Sequence, residues 1–252
     1  MENQKWLSYN ELAWLEPIIA PVEDYAKETE HYCTVLSECS KIEPKTLLHL
    51  GSGAGINDYT LKKHFEVTGV DISKGMLEVA ERLNPEVAYH FGDMRTVRLG
   101  KVFDVVIIPE SINYMTTVED LGKAILTAYK HLKPGGVFLF VTHIKEEFTE
   151  NNFVYTGTKG DIEVTVFENN YYPDPEGTTY EATIIYLVRR GGKLDIYTDR
   201  HVIGLFRQEI WLETIKATGF EVQLQKQEDT YTPYILGEGK YPLQMFICTR
   251  PL

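Results

Sequence analysis

Cysteine is scarce in this 252-residue chain: Cys33, Cys39 and Cys248 are odd in number and form no C-x-x-C pair. Such usage argues against a disulfide framework or a metal-ligand spacing and reads as reduced thiols in a cytosolic protein. No metal site is expected. Basic charge is equally thin. Lys and Arg total 25 against 37 Asp and Glu, the net charge is −12, and no basic run exceeds a pair. Such a surface repels phosphate backbones, so nucleic acid is not an expected partner and a small molecule is. No apolar run approaches the ~20 residues that span a bilayer, and the opening MENQKWLSYNE has neither a basic nor an apolar leader region. The chain is expected to be cytoplasmic, without a membrane partner. Its 43% hydrophobic and 25% charged residues suit one large domain, or one with an insertion, around a full core.

The most informative stretch is KTLLHLGSGAGINDYTLKKHFEVTGVD, residues 45–71. Apolar runs at both ends flank a glycine turn (Gly51, Ser52, Gly53, Ala54, Gly55) and an amphipathic segment, predicting strand, turn, helix from about Ala54, and strand. Glycines are needed where backbone must pass close to a ligand or take positive φ. Asp71, after the second strand, stands where a carboxylate can accept both hydroxyls of a ribose. The unit predicts an adenosine-containing ligand. Dinucleotide sites read G-x-G-x-x-G, which would place the third glycine at Ile56. The spacing here is G-x-G-x-G, typical of S-adenosylmethionine sites.

The rest of the chain alternates helices and strands. Residues 6–40 read as two helical pieces separated between Pro17 and Pro21. A helix over 73–83, strands over 87–91 and 103–108, a helix over 119–132, a break at Pro134-Gly135-Gly136 and a strand over 137–141 predict a mostly parallel sheet. Residues 153–206 change to period-2 arms around Lys159-Gly160-Asp161, Pro175-Glu176-Gly177 and Gly191-Gly192, predicting antiparallel hairpins. A helix over 208–218, ended by Gly219, precedes two strands whose short return suggests an antiparallel final strand. The expected fold is α/β: a Rossmann-like, mostly parallel seven-stranded sheet with an antiparallel last strand, plus an inserted antiparallel sheet. Within this single domain, residues 1–43 form a helical cap, 44–150 the cofactor core, 151–206 the insertion and 207–252 the completion of the sheet.

With LGSGAG (50–55), VDIS (70–73) with Met76, FGDMRTVRLGKVFDVV (91–106) and HLKPGGVFLF (131–140) in this order, the chain resembles class I S-adenosylmethionine-dependent methyltransferases over nearly its full length. Its layout is similar to the N,N-dimethyltransferases of nucleotide-linked amino sugars, which share GDMR, RLG, a KPGG-type turn and a segment like RHVIGLF (200–206). The resemblance implies S-adenosyl-L-methionine as cofactor and S-adenosyl-L-homocysteine as product. Gly51, Ser52, Gly53 and Gly55 would hold the methionine end, Asp71 the ribose, and Gly92, Asp93 and Met94 the adenine, between Ile72 and Met94 with Met76 nearby. Two departures stand out. His49 replaces the acid usual at the head of the glycine motif, and Pro109, Glu110, Ser111, Asn113 and Tyr114 fill the segment after the fourth strand, which in the family touches cofactor and acceptor.

Methyl transfer needs mainly proximity, orientation and a dry site, so no catalytic triad is required. His143, after the fifth strand, is the candidate base, and Tyr114 the candidate for orienting the acceptor. Tyr25 is a candidate for the cofactor's amino-acid end, and Pro109 and Glu110 for the cofactor loop, with Glu110 alternatively suited to a cationic acceptor. Trp14, Asn113, Tyr114, His143 and Arg200 are candidates for the acceptor, with Arg200 and His201 suited to an acidic one. The expected activity is methylation of a small molecule, preferably at an amine nitrogen. An O-methyltransferase, a non-catalytic cofactor-binding subunit and a nicotinamide-dependent dehydrogenase are the alternatives. A homodimer through the inserted sheet is a possible assembly.

Overall fold

The computed structural model describes residues 6–227 and 231–252. Met1–Lys5, the start of the expected cap, and residues 228–230 lie outside the described residues. The elements in chain order are α1 (Glu16–Ile19), α2 (Val22–Cys39), β1 (Thr46–Leu50), α3 (Asp58–Leu61), β2 (Glu66–Asp71), α4 (Lys74–Leu83), β3 (Ala88–Phe91), β4 (Phe103–Pro109), α5 (Val118–His131) and β5 (Leu132–Thr142). Then come β6 (Asn151–Lys159), β7 (Ile162–Tyr171), β8 (Thr179–Arg190), β9 (Lys193–Gly204), α6 (Gln208–Thr218), β10 (Glu221–Lys226) and β11 (Gln244–Thr249). A seven-stranded sheet has the order β10-β11-β5-β4-β1-β2-β3, and β6-β7-β8-β9 form a separate four-stranded sheet. β11 runs antiparallel to β5 and β10, whereas β1 to β5 pair in parallel.

The central strands are apolar on both faces, as a sheet covered on both sides requires. Leu48, Val106, Ile108, Phe138, Phe140 and Phe246 turn to α5 and α6, around Leu121, Ile125, Trp211 and Ile215. Leu47, Val105, Ile107, Leu139 and Met245 turn the other way, to Tyr32, Val35 and Leu36 of α2. Trp211 is fully buried, and Phe140 stacks on Phe246 with centroids 4.8 Å apart. Burying such a side chain contributes roughly 1.5–3 kcal/mol. Local signals set the ends. Ser73 and Thr117 accept from the backbone N–H groups of Met76 and Asp120, and Gly219 closes α6 at φ 102°.

Three expectations are corrected. The chain after the glycine turn stays in turns to Asn57 and is α-helical only over Asp58–Leu61, because Gly51, Gly53 and Gly55 all hold positive φ. Residues 6–15 are turns and a short 3-10 segment, and Pro17 opens α1 rather than ending a helix. Pro134-Gly135-Gly136 does not break the chain before β5: the strand runs through it, shifting its register against β4.

The inserted sheet roofs the carboxyl end of the core. Its inward face carries Phe153, Val164, Val166, Tyr180, Ala182, Tyr186, Val188, His201 and Ile203, all buried. Leu12, Leu15 and Ile18 of the N-terminal segment wedge beneath Val164, Val166, Tyr186 and Val188.

Candidate active site

The glycine turn follows β1 at the carboxyl edge of the sheet, where ligands bind in wound α/β folds. Beneath it lies a polar network. His49 Nδ1 meets Asp58 Oδ1 at 2.6 Å, the Tyr89 hydroxyl donates to Asp58 Oδ2 at 2.8 Å, and Asn84 Nδ2 donates to the Gly55 carbonyl at 2.9 Å. His49 thus departs from the family's acid but is paired with one, Asp58, nine residues on. Gly51 N donates to the Val70 carbonyl at 2.7 Å, and a Cβ at Gly51 would collide with the Ser111 hydroxyl and Met94. The Ser52 hydroxyl is buried without a partner among the described residues.

Asp71 is held toward the turn, accepting from Gly53 N at 2.8 Å and Ser73 N at 2.7 Å. Burial raises its carboxyl above the ordinary value, against the pull of those two bonds. Beside it Ile72 is 52% exposed at the strand end, an apolar plate with room for a flat ring. Around Gly53 nothing lies within 4 Å of where a Cβ would stand. The open loop, the fixed carboxylate with unused lone pairs and the bare Ile72 fit a nucleoside. Gly92 N donates to the Asp71 carbonyl at 2.9 Å, and Gly92 packs on Val70 and Val97. Asp93 is clamped by Arg95, Nε to Oδ2 at 2.9 Å, and Arg95 also pairs with Asp120 at 2.8 Å. Burial would raise Asp93, but the Arg95 bonds outweigh it and hold the carboxyl below the ordinary value.

The structure separates other expected residues from this edge. Met76 is buried against Ala13, Ala54, Ile56 and Val79 and opens on no slot, because it lies on the inward stripe of α4. Trp14 sits under the Arg190 guanidinium, 4.8 Å from its ring, at the far end of the roof. Arg200 faces outward, Nε 2.9 Å from Glu181, because even-numbered residues of β9 leave the inward face that His201 occupies. Asn113 stays at the edge but is buried, and its side-chain oxygen accepts from the Thr142 hydroxyl, tying the turn after β4 to the end of β5.

Under the roof two groups come together. In one, the hydroxyls of Tyr9 and Tyr114 are 2.5 Å apart, Tyr114 Oη is 2.8 Å from His201 Nδ1, and His201 Nε2 is 3.0 Å from Asp199 Oδ2. Ser8 N and Oγ donate to the same Asp199 oxygen at 2.8 and 2.7 Å, and Trp6 packs on Tyr114 and His201. Burial lowers His201 despite Asp199, so the imidazole is neutral at pH 7. A carboxylate accepts only, so Nε2 carries the hydrogen and Nδ1 accepts from Tyr114. Sequence reasoning missed Tyr9 and gave His201 only a part in holding an acidic acceptor. Period-2 inward placement of His201 opposite Arg200 was the available signal.

The second group surrounds Glu110, a residue at φ 56° that no other non-glycine among the described residues shares in sign. Its carboxylate accepts from the Tyr231 hydroxyl at 2.7 Å. Burial, then Glu28, push it up to about 7. Tyr25, Glu28, Tyr155, Tyr231 and Tyr234 line an adjoining cleft of about 50 Å³. Pro109 ends β4 immediately before. His143 is fully buried. Its Nδ1–H donates to the Pro242 carbonyl at 2.9 Å, its Nε2 lone pair has no partner among the described residues, and burial lowers it to about 4.

Residues 47–136 match the family model of a methyltransferase domain. The chain is 28% identical over 204 residues to dTDP-3-amino-3,4,6-trideoxy-alpha-D-glucopyranose N,N-dimethyltransferase of Streptomyces venezuelae, covering 80% of this chain and 85% of the relative. The crystal structure of Streptomyces venezuelae DesVI superposes with a TM-score of 0.79 at 25% identity, covering 96% of both chains. That of S-adenosylmethionine-bound CalS10, an amino pentose methyltransferase from Micromonospora echinaspora, gives 0.75 at 22%, covering 90% of this chain and 91% of that one, a likeness of fold. Motif order, sheet order and these likenesses agree in supporting an S-adenosylmethionine-dependent methyltransferase enzyme.

Proposed function

We propose that the enzyme methylates an amine nitrogen of a small molecule, and that the Tyr9–Tyr114–His201–Asp199 line handles the proton. The hydrogen-bonded line is the observation that carries this reading, supported by the amine substrates in the names of the relatives. S-adenosylmethionine, when bound, supplies a methyl group on a cationic sulfur, whose S–CH3 bond breaks as the N–CH3 bond forms. Gly51, Ser52, Gly53 and Gly55 would cradle its methionine end, Asp71 its ribose, and Ile72, Gly92, Asp93 and Met94 its adenine. Tyr25 would reach its amino-acid end, and Pro109 and Glu110 would contact it beside the glycine turn. An amine must attack neutral. Tyr9, donating to Tyr114, keeps an oxygen lone pair that can accept the amine N–H and aim the nitrogen lone pair. The proton released passes through the two hydroxyls to His201 Nδ1, leaving an imidazolium stabilised by Asp199. His143, closed and weakly basic, serves as a wall of the acceptor chamber rather than as the base.

On this reading the enzyme works in the cytoplasm with free thiols, and the outward roof face with Phe167, Ile185 and Ile196 is the surface for a homodimer contact. The test is methyl transfer to a panel of amines, phenols and carboxylic acids with labelled cofactor. Turnover confined to amines, and reduced in Tyr114→Phe, fits; turnover of only phenols or acids sinks the proposal.

A further inference from the structure

The inward face of β7 runs Val164, Val166, Glu168, Asn170, so an acid stands where the alternation calls for an apolar residue. Glu168 accepts from Asn170 Nδ2 at 2.9 Å and makes no ion pair among the described residues. It is half-buried. Around it are phenols. Across the strand from Glu168, Phe153 stacks on Tyr155 with centroids 5.8 Å apart and meets Tyr241 edge to face at 5.0 Å. Tyr241 and Tyr180 also hold His143 between them, edge to face at 4.2 and 6.1 Å, and the orphaned Nε2 lone pair of His143 lies in this aromatic group. The carboxylate, phenol oxygens, ring faces and imidazole lone pair of this group attract a positive N–H donor; at its border stand Trp6, whose Nε1–H is buried without a partner among the described residues, and Lys145, 5.5 Å from the Tyr172 ring. Among the described residues no Lys or Arg forms an ion pair with Glu168 or Glu110. Arg200, the residue suited to a diphosphate, lies outside, paired with Glu181.

Burial raises the Glu168 carboxyl above its ordinary value, and a cationic ligand would supply the counter-charge that lets it ionise. Aromatic faces add to the attraction for a cation. We propose that the methyl acceptor is a diamine-like cation without phosphate: one nitrogen reacts at Tyr9 and Tyr114 while a second, protonated nitrogen is held by Glu168 among Tyr155, Tyr180 and Tyr241. This rests on the N-methylation reading and narrows it. It also departs from the amino-sugar relatives, whose named substrates carry a dTDP group. Glu168 acts here as a specificity residue. It comes from the roof rather than from the strand ends that would hold the cofactor, so its effects separate from those of the cofactor's own ammonium group.

The test uses the intact protein loaded with S-adenosylhomocysteine. Calorimetry measures 1,4-diaminobutane, 1-aminobutane and a dTDP-amino sugar as probes, on wild type, Glu168→Gln and Glu168→Asp. Expected are at least tenfold tighter binding of the diamine than of the monoamine, loss of that preference in Glu168→Gln, partial return in Glu168→Asp, and S-adenosylhomocysteine affinity unchanged within about twofold. Equal binding of both amines, a preference that survives Glu168→Gln, or tighter binding of the dTDP-amino sugar overturns the proposal. Turnover of the monoamine as efficiently as the diamine overturns it while leaving N-methylation standing. Absence of amine turnover alongside phenol turnover removes the N-methylation reading itself.

Discussion

Glu110 offers the sharpest quantitative expectation. Burial raises its carboxyl from an ordinary 4.5 to about 7, with Glu28 adding to the rise and the Tyr231 hydroxyl opposing it. The folded chain therefore keeps a proton that the unfolded chain has already released between those two values. Stability falls with pH wherever the native state binds more protons, so this residue costs nothing below pH 4.5 and its full penalty above pH 7. A gap of roughly 2.5 units corresponds to about 3 kcal/mol, and solvent reaching the half-buried carboxyl reduces this to about 1–3 kcal/mol. Glu110→Gln keeps an acceptor for Tyr231 and removes the titration. Urea unfolding of the two proteins at pH 5 and pH 8 should give curves that diverge: the variant gains about 1–3 kcal/mol on wild type as pH rises. Equal differences at both pH values would refute the reasoning, since the penalty would not then be a proton-linked one. A cation bound beside Glu110 should shrink the divergence, because it offsets the same uncompensated charge.

Asp71→Ala should weaken S-adenosylhomocysteine binding at least tenfold by calorimetry, since it removes both the carboxylate and the brace on Gly53. Gly51→Ala should weaken it as much, because φ 70° and the Ser111 hydroxyl leave no place for a methyl group; unchanged affinity would contradict the geometry. His49→Asp places a second acid against Asp58, and should lower stability by about 1–3 kcal/mol in denaturant titration, with Asp58→Asn in the same chain restoring most of it. Tyr114→Phe cuts the line to His201 and should lower kcat about 10–100-fold for an amine acceptor, with the dependence of kcat on the His201 ionisation lost from the pH profile. An unaltered profile would remove His201 from the reaction.

The core was readable from sequence because its signals are local and repeated. The G-x-G-x-G turn, Asp71 at a strand end, Ser73 as cap and Gly219 as stop each declare a backbone requirement within a few residues. The sheet strands declare themselves through apolar runs such as Val105–Ile108. The acceptor side was not readable in the same way. Tyr9, Tyr114 and His201 lie 105 and 87 residues apart along the chain and meet only through the roof. Trp14 looked like a pocket aromatic, but nothing local tells that a tryptophan will lie under Arg190. Arg200 and His201 looked equivalent until strand parity turned one outward and the other in. The short α3 was hidden because an amphipathic pattern after a glycine turn does not say how many residues the turn consumes.

The division between floor and roof has an evolutionary consequence. The network that supports the cofactor loop, His49, Asp58, Asn84 and Tyr89, is confined to one contiguous stretch of chain, whereas Tyr155, Glu168, Tyr180 and His201 belong to the four-stranded sheet. On the proposed reading, substitutions along β6 to β9 would redraw which acceptor fits without touching the groups beneath the glycine turn. On that same reading, editing one sheet face would change the acceptor and leave the methyl donor's site as it is.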